Sequence, residues 1–207
     1  MNKNARLIST ARSLLCVALV LCLVVWAKRK PFTAAERALI MGADSLMAVM
    51  VLPQDSAVLR TPSRDVERRA LRSTELRTLL DKMLYTVTDP SQDGVGIAAP
   101  QVGINRRIVL VQRLDKDGEP FEAYVNVRLD SLYGAPVSGR EGCLSVPGYW
   151  GTVTRSTGVV VSYVDLTTGR RRSEHVEGYT ARIFQHECDH LDGILYPDRA
   201  DSLFAAP

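Results

Sequence analysis

Histidine is scarce in this chain, which has only three, alongside four cysteines. A transition-metal site has few ways to form from so small a set. Charge of one sign is also lacking: the net charge is +3 and the basic residues are scattered, so there is no signal for nucleic-acid recognition. No internal repeat and no low-complexity segment occurs. Apolar runs are short. The longest, Leu14 to Ala27, falls below the roughly 20 residues that span a bilayer. It follows Lys3, Arg6 and Arg12 and precedes Lys28-Arg29-Lys30, a pattern that suits a signal-peptide core or a short membrane anchor. Val25-Trp26-Ala27 is a tolerable cleavage site, but Lys28 is a poor start for an exported chain, and Leu21 before Cys22 disfavours a lipoprotein signal. Cys16 and Cys22 lie in this run and Cys188 is isolated, so no structural disulfide is implied.

What is present is concentrated near the C-terminus, in Gln185-His186-Glu187-Cys188-Asp189-His190. Residues four apart share a helix face, so His186 and His190 can offer two imidazoles to one metal ion. Glu187 can reach a water beside that metal, the arrangement of metal-assisted hydrolysis with Glu as general base.

The third ligand decides the class. A thermolysin-like Glu has no candidate, since only Asp192, Asp198 and Asp201 follow His190. In the metzincin pattern Gly193 fits, but Tyr196 stands where the last His belongs. The remaining histidine, His175, sits in a polar strand-like stretch. Cys188 points away from the His face and reads as a small buried residue. Cys143 is left, in Glu141-Gly142-Cys143-Leu144-Ser145-Val146-Pro147-Gly148. Such an irregular segment can bring a thiolate and backbone N–H groups to a ligand. A Cys-His-His set with an open fourth position is of catalytic type.

A third segment, Gly94-Val95-Gly96-Ile97-Ala98-Ala99-Pro100-Gln101-Val102-Gly103, is rich in small residues. It lacks the Lys-Ser/Thr of a P-loop, and Ala99 replaces the third Gly of a dinucleotide fold. A small-residue strand that lets a peptide backbone approach is the remaining reading. In order and spacing, Gly94-x-Gly96-x-Ala98-Ala99-x-Gln101, Glu141-Gly142-Cys143-Leu144-Ser145 and Gln185-His186-Glu187-x-x-His190 resemble the three signature motifs of the peptide deformylase family. The resemblance covers roughly Met50 to Ala200.

The resemblance implies an enzyme that removes the N-formyl group from the initiator methionine of new polypeptides. It implies one divalent metal on Cys143, His186 and His190, iron(II) by family habit and replaceable by zinc or nickel. Glu187 would carry protons, and the Gln101 amide and Leu144 backbone N–H would face the developing oxyanion. The substrate would add as a strand along Val95, Gly96 and Ile97, opposite Gly142. Val95, Tyr179, Ile183 and the His186 ring would take the methionine. Glu141, Arg155 and Asp189 would orient the ligands. N-formyl-Met peptides are the implied partners, with the ribosome exit region and, through residues 14–27, the membrane as further ones. The chain departs from many relatives at Asn126-Val127, where they have Asn-Pro, and at Trp150, where they carry Arg. A membrane-directed N-terminus is also atypical, and a cytoplasmic location is the alternative to an anchored or exported one. A metalloprotease or other amidase with the same ligands is a second reading, separable by activity on internal peptide bonds. A membrane-tethered peptide binder is a third, opposed by Glu187, which a binder does not need.

The rest reads as α+β, antiparallel or mixed strands packed around a C-terminal metal-binding helix. Thr33-x-x-Glu36 opens a short helix to about Gly42. Leu76, Leu79, Leu80, Met83, Leu84 and Val87 mark a helix over 73–88 that Pro90 ends. Strands are expected at 107–112, 121–127, 158–165 and 170–177, and the metal helix from Gly178 to Gly193. The expected division is 1–30 signal peptide or anchor, 31–49 linker and short helix, and 50–207 catalytic domain. Removal of residues 1–30 is expected to leave soluble, active protein; a correctly folded truncation that releases no formate from formyl-Met peptides would reject that division.

Overall fold

The periodic apolar stripe over residues 73–88 forms a helix as its spacing requires. In the computed structural model, which describes residues 31–206, it is the third of four α-helices: α1 (Ala34–Ile40), α2 (Ser56–Leu59), α3 (Thr74–Val87) and α4 (Gly178–Leu191). Ser73 caps α3 by accepting the Leu76 N–H at 3.1 Å. Leu76, Leu79, Met83 and Val87 are buried along one face.

Six strands make one sheet: β1 (Gly96–Ala98), β2 (Ile108–Gln112), β3 (Phe121–Gly142), β4 (Tyr149–Val164), β5 (Arg171–Glu177) and β6 (Ala200–Ala205). The order is β1-β2-β3-β4-β5, with β6 added to β4 and every pair antiparallel. The β3–β4 ribbon changes register at three places, between Val125 and Arg128, Leu129 and Ser131, and Tyr133 and Pro136. Bulges of this kind bend a long ribbon. The α+β class and the C-terminal helix stand as expected.

Three differences have one cause. Strand β3 runs on to Gly142 rather than ending at Val127, β4 begins at Tyr149 rather than Gly158, and β6 has no counterpart among the expected strands. The added parts of β3 and β6 are mostly exposed, and in the added part of β4 the buried alternation falls on Gly151, Val153 and Arg155, of which only Val153 is a large apolar residue. Without apolar side chains at alternate positions there is no period-two signal for a reader of the sequence.

Helix α4 packs on the sheet through Ala181, Phe184, Cys188 and Leu191, against Val109, Val111, Tyr124, Val127, Val159, Val161 and Val176. The Cys188 thiol is pushed up by burial, consistent with a packing residue and not a ligand. Beyond the helix, Gly193 takes φ +75°, and a Cβ there would lie 2.4 Å from the Arg60 carbonyl oxygen. Only glycine fits that turn.

Residues Ala34–Pro207 form one compact unit. The segment expected as linker therefore supplies α1 to this unit, where Arg106 grips Glu36 at 2.6 and 2.9 Å. Among the described residues no helix is long and apolar enough to cross a membrane. The run 14–27, with Cys16 and Cys22, lies outside the described residues.

Phe184 is fully buried and meets Tyr124 edge-on at 4.8 Å. Phe184→Ala should cost about 3–5 kcal/mol, read from urea denaturation; a loss below about 1 kcal/mol would show that the α4–sheet contact is not the core.

Candidate active site

Gln185, Glu187, Asp189 and His190 on α4 are as buried as its apolar side, so each polar group there needs a partner. Gln185 is tied to β4, accepting the Ser156 N–H at 3.2 Å and donating to the Ser156 carbonyl at 2.8 Å. His186 and His190, one turn apart, face the end of β3. There Cys143 brings its Sγ within 3.1 Å of His190 Nε2. The donor atoms of Cys143, His186 and His190 all lie within 4.8 Å of one another.

Glu141, two residues before the thiol, holds this geometry. Its Oε2 is 3.0 Å from His186 Nδ1, which leaves the other ring nitrogen for the cluster. Arg155 binds the same carboxylate in a fork at 2.8 and 2.9 Å, and Arg182 adds a third donor at 2.8 Å. Burial alone would raise the Glu141 carboxyl; Arg155 and then His186 outweigh it and hold it at about 2. Asp189 accepts from Arg155 at 2.7 Å and from Arg199 at 2.6 and 2.7 Å. Glu141, Arg155 and Asp189 thus form one network, as expected of residues that orient ligands.

The donor set fits a transition metal. Burial would raise the Cys143 thiol, but His190 and His186 pull it well below its ordinary value, toward the thiolate that ligates. Burial would lower His186, and the thiolate and Glu141 raise it well above its ordinary value. The field between these groups favours a cation. One thiolate with two imidazoles suits iron(II), zinc or nickel. Glu187 Oε2 is buried without a hydrogen-bond partner, the pattern of a group reserved for chemistry, and so is His190 Nδ1, the ring nitrogen turned away from the thiol.

Glu187 is 4% exposed. Burial pushes its carboxyl up to about 7, against the pull of His186 and His190. Opposite it lies Gly96, where a Cβ would sit 2.6 Å from Glu187 Oε1 and 2.8 Å from the Ile183 side chain. Gln101 follows on a short 3-10 turn, Ala99–Val102. Its Oε1 accepts the Ala98 N–H at 2.8 Å, which turns Nε2 toward Cys143 Sγ at 3.5 Å and Ser145 Oγ at 3.3 Å. The donor end of the amide therefore faces the cluster.

Gly96, Gln101, Cys143, His186 and Glu187 line a cleft of about 400 Å³, with Leu144, Val95, Tyr179 and Gly142 also in its walls and His190 buried behind Cys143. The Polypeptide deformylase family model matches residues 47–205. The chain belongs to the peptide deformylase family. A peptide deformylase from Symbiobacterium thermophilum is 42% identical over 158 residues, 76% of this chain and 69% of that one. The Synechococcus elongatus peptide deformylase, solved with actinonin, has 37% identity and a TM-score of 0.68, covering 77% of this chain and 83% of that one. A class I type b peptide deformylase from Acinetobacter baumannii, solved with Met-Ala-Ser bound, has 35% identity and a TM-score of 0.66, covering 74% and 98%.

Ile97 was expected along the substrate strand with Val95 and Gly96. Ile97 is fully buried and does not line the cleft. Gln112 donates to the Val95 carbonyl, so the antiparallel alternation turns Val95 and Ile97 toward β2 and leaves Gly96 with its backbone groups on the free edge of β1. Tyr196, at the metzincin position, is no ligand: its ring lies beside His186 at 6.2 Å, and burial pushes its hydroxyl up to about 12. Arg182 and Arg199 were not anticipated. Arg182 had a signal, since 182, 186 and 190 recur every four residues on one face; Arg199 had none.

Gly96→Ala should displace the Glu187 carboxylate and cut kcat by at least about tenfold, since small misplacements of a catalytic group are costly. Parent-like kcat in a folded variant would show that this close approach does not set Glu187.

Proposed function

We propose that the protein is a metal-dependent hydrolase that removes the N-formyl group from the N-terminal methionine of newly made polypeptides. One observation carries this reading: a thiolate and two imidazoles, a buried carboxylate without a partner and an oriented amide donor meet in one cleft. Family membership supports the same activity.

The roles follow from position. Cys143, His186 and His190 would hold the metal, iron(II) in this reading, with zinc or nickel able to substitute. When bound, that ion supplies Lewis-acid chemistry, polarising a carbonyl and acidifying water. Glu187 takes the proton of the attacking water and later delivers it to the leaving amine. Desolvation suits it to both steps, because a carboxyl near neutrality gives and takes protons readily. Gln101 Nε2 and the Leu144 N–H donate to the carbonyl oxygen as charge builds there. Gly96 and Gly142 flank the peptide backbone, which adds to the free edge of β1. Val95, Tyr179, Ile183 and the His186 ring surround the methionine side chain. Its formyl carbon carries only hydrogen, so a tight wall behind it rejects larger acyl groups.

Residues 1–30 are proposed as a signal or short anchor, supported by the cation-flanked apolar run. An anchored enzyme facing the cytoplasm and a cytoplasmic enzyme both meet chains leaving the ribosome; fractionation of the full-length protein separates them.

The decisive experiment is formate release from formyl-Met-Ala-Ser by anaerobically prepared, iron-loaded protein, beside acetyl-Met-Ala-Ser. Turnover of the formyl peptide should exceed that of the acetyl peptide by about one to two orders of magnitude; equal rates would point to a general amidase. Glu187→Gln should retain its metal yet lose about two or more orders of magnitude in kcat. Activity within about threefold of the parent would exclude Glu187 as proton carrier.

A further inference from the structure

The cleft wall on the β3 side carries a second charged group, Arg140. It lies two residues before Gly142 and so on the same face of β3, while Glu141 points into the buried network. Cross-strand register places Gly142 opposite Trp150, and Arg140 opposite Thr152. Arg140 and Trp150 are therefore diagonal neighbours, within reach for long side chains. Gly142 has no side chain to cover the indole, and the Arg140 guanidinium occupies that space, 4.1 Å from the ring centroid. Phe204 of β6 stacks on Trp150 at 4.4 Å and 23°. Two groups this close must take opposite faces, so Arg140, Trp150 and Phe204 make a three-layer stack at the rim.

Cation–π attraction holds the guanidinium over the ring without a hydrogen bond, so its N–H donors stay available to a further acceptor. Arg182, the other guanidinium in the cleft wall, is spent: it donates to Glu141, to the Val153 carbonyl at 2.8 Å and to the Val137 carbonyl at 2.6 Å. Arg140 makes no ion pair or hydrogen bond of its side chain among the described residues. The remaining charged residue of the cleft rim, Asp93, sits on the β1 side, just before Gly94. The two walls thus differ in sign.

We propose that Arg140, held on Trp150, reads a carboxylate on the peptide and favours an acidic side chain at the second or third residue after the formyl group. This rests on the reading above, in which the peptide runs between Gly96 and Gly142 with methionine in the inner pocket. A chain leaving that pocket passes Gly142 and next meets Arg140. The shared chemistry is a carboxylate, and the two sources are an acidic side chain and the C-terminus of a short peptide; the assignment is to the side chain.

The test uses full-length, metal-loaded protein and C-terminally amidated peptides, formyl-Met-Glu-Ser, formyl-Met-Lys-Ser, formyl-Met-Ala-Glu and formyl-Met-Ala-Lys. Product peptides without formyl are titrated in parallel for Kd, which needs no turnover. At low salt the Glu peptide of at least one pair should exceed its Lys partner by roughly three- to tenfold in kcat/KM and in affinity, mostly through KM, and the ratio should shrink in high salt. Arg140→Gln should bring the ratio near one, Arg140→Glu should invert it, and Trp150→Ala should reduce it. Equal constants for both pairs in the parent, or a ratio that neither Arg140 variant moves, would overturn the inference. Preference seen only with free-acid peptides would overturn it too, by assigning the terminal carboxylate. Absence of formate release from every peptide would count against the proposed activity alone, since the product affinities still decide the role of Arg140.

Discussion

A single buried carboxylate organises this protein's chemistry. Glu141 ends β3, yet its partners come from β4 and α4: Arg155, Arg182 and His186. Side chains of Glu141 and Arg155 are 5% and 4% exposed. At that depth, removing one partner leaves an uncompensated charge that costs about 3–5 kcal/mol. The carboxylate therefore pins the strand end against the helix. Cys143, two residues further along, is then delivered to His190 by chain connectivity, and His186 is rotated by the same carboxylate that anchors the strand.

Apart from its first residue and the cleft-facing Tyr179, Arg182 and His186, helix α4 is buried, and its apolar and polar residues meet burial differently. Ala181, Phe184, Cys188 and Leu191 remove apolar surface from water. Arg182, Gln185 and Asp189 satisfy their polar groups with β3 carbonyls, β4 backbone or arginines. Only Glu187 and His190 on this helix retain side-chain atoms without a partner. Leaving a buried polar atom unpaired is costly, and both cases fall in the helix turn that carries His186 and His190. The surrounding fully bonded groups make that local cost tolerable and hold the reactive ones still.

Small residues complete the arrangement from the other wall. Gly96 lets β1 approach Glu187 to a distance no side chain could share. Gln101 is turned by the Ala98 N–H so that its donor end faces the thiolate. The rim is built by longer-range pairing, in which β6 returns to β4 and brings Phe204 onto Trp150.

Much of this was legible beforehand because it is local. A four-residue recurrence puts His186 and His190 on one face of any helix, and the stripe Leu76, Leu79, Met83 and Val87 with a Ser73 cap specifies α3 on its own. Elimination among three histidines and four cysteines singled out Cys143 before any contact was known. What the chain alone left undecided depends on pairing between distant segments. Whether Gly96 or Ile97 faces the free edge follows from the β1–β2 hydrogen-bond phase. That Arg140 meets Trp150 follows from β3–β4 register, and that Tyr196 packs beside His186 instead of ligating follows from the turn after α4. By itself the sequence determined α1, α3 and α4, the ligand types and their spacing, because helical geometry is set within a few residues; the four-residue α2 left no such signal. Only the tertiary structure decided strand phase, the lengths of β3 and β4 and the rim of the cleft, because register is a relation between strands and a strand without alternating apolar side chains leaves no periodic trace of it.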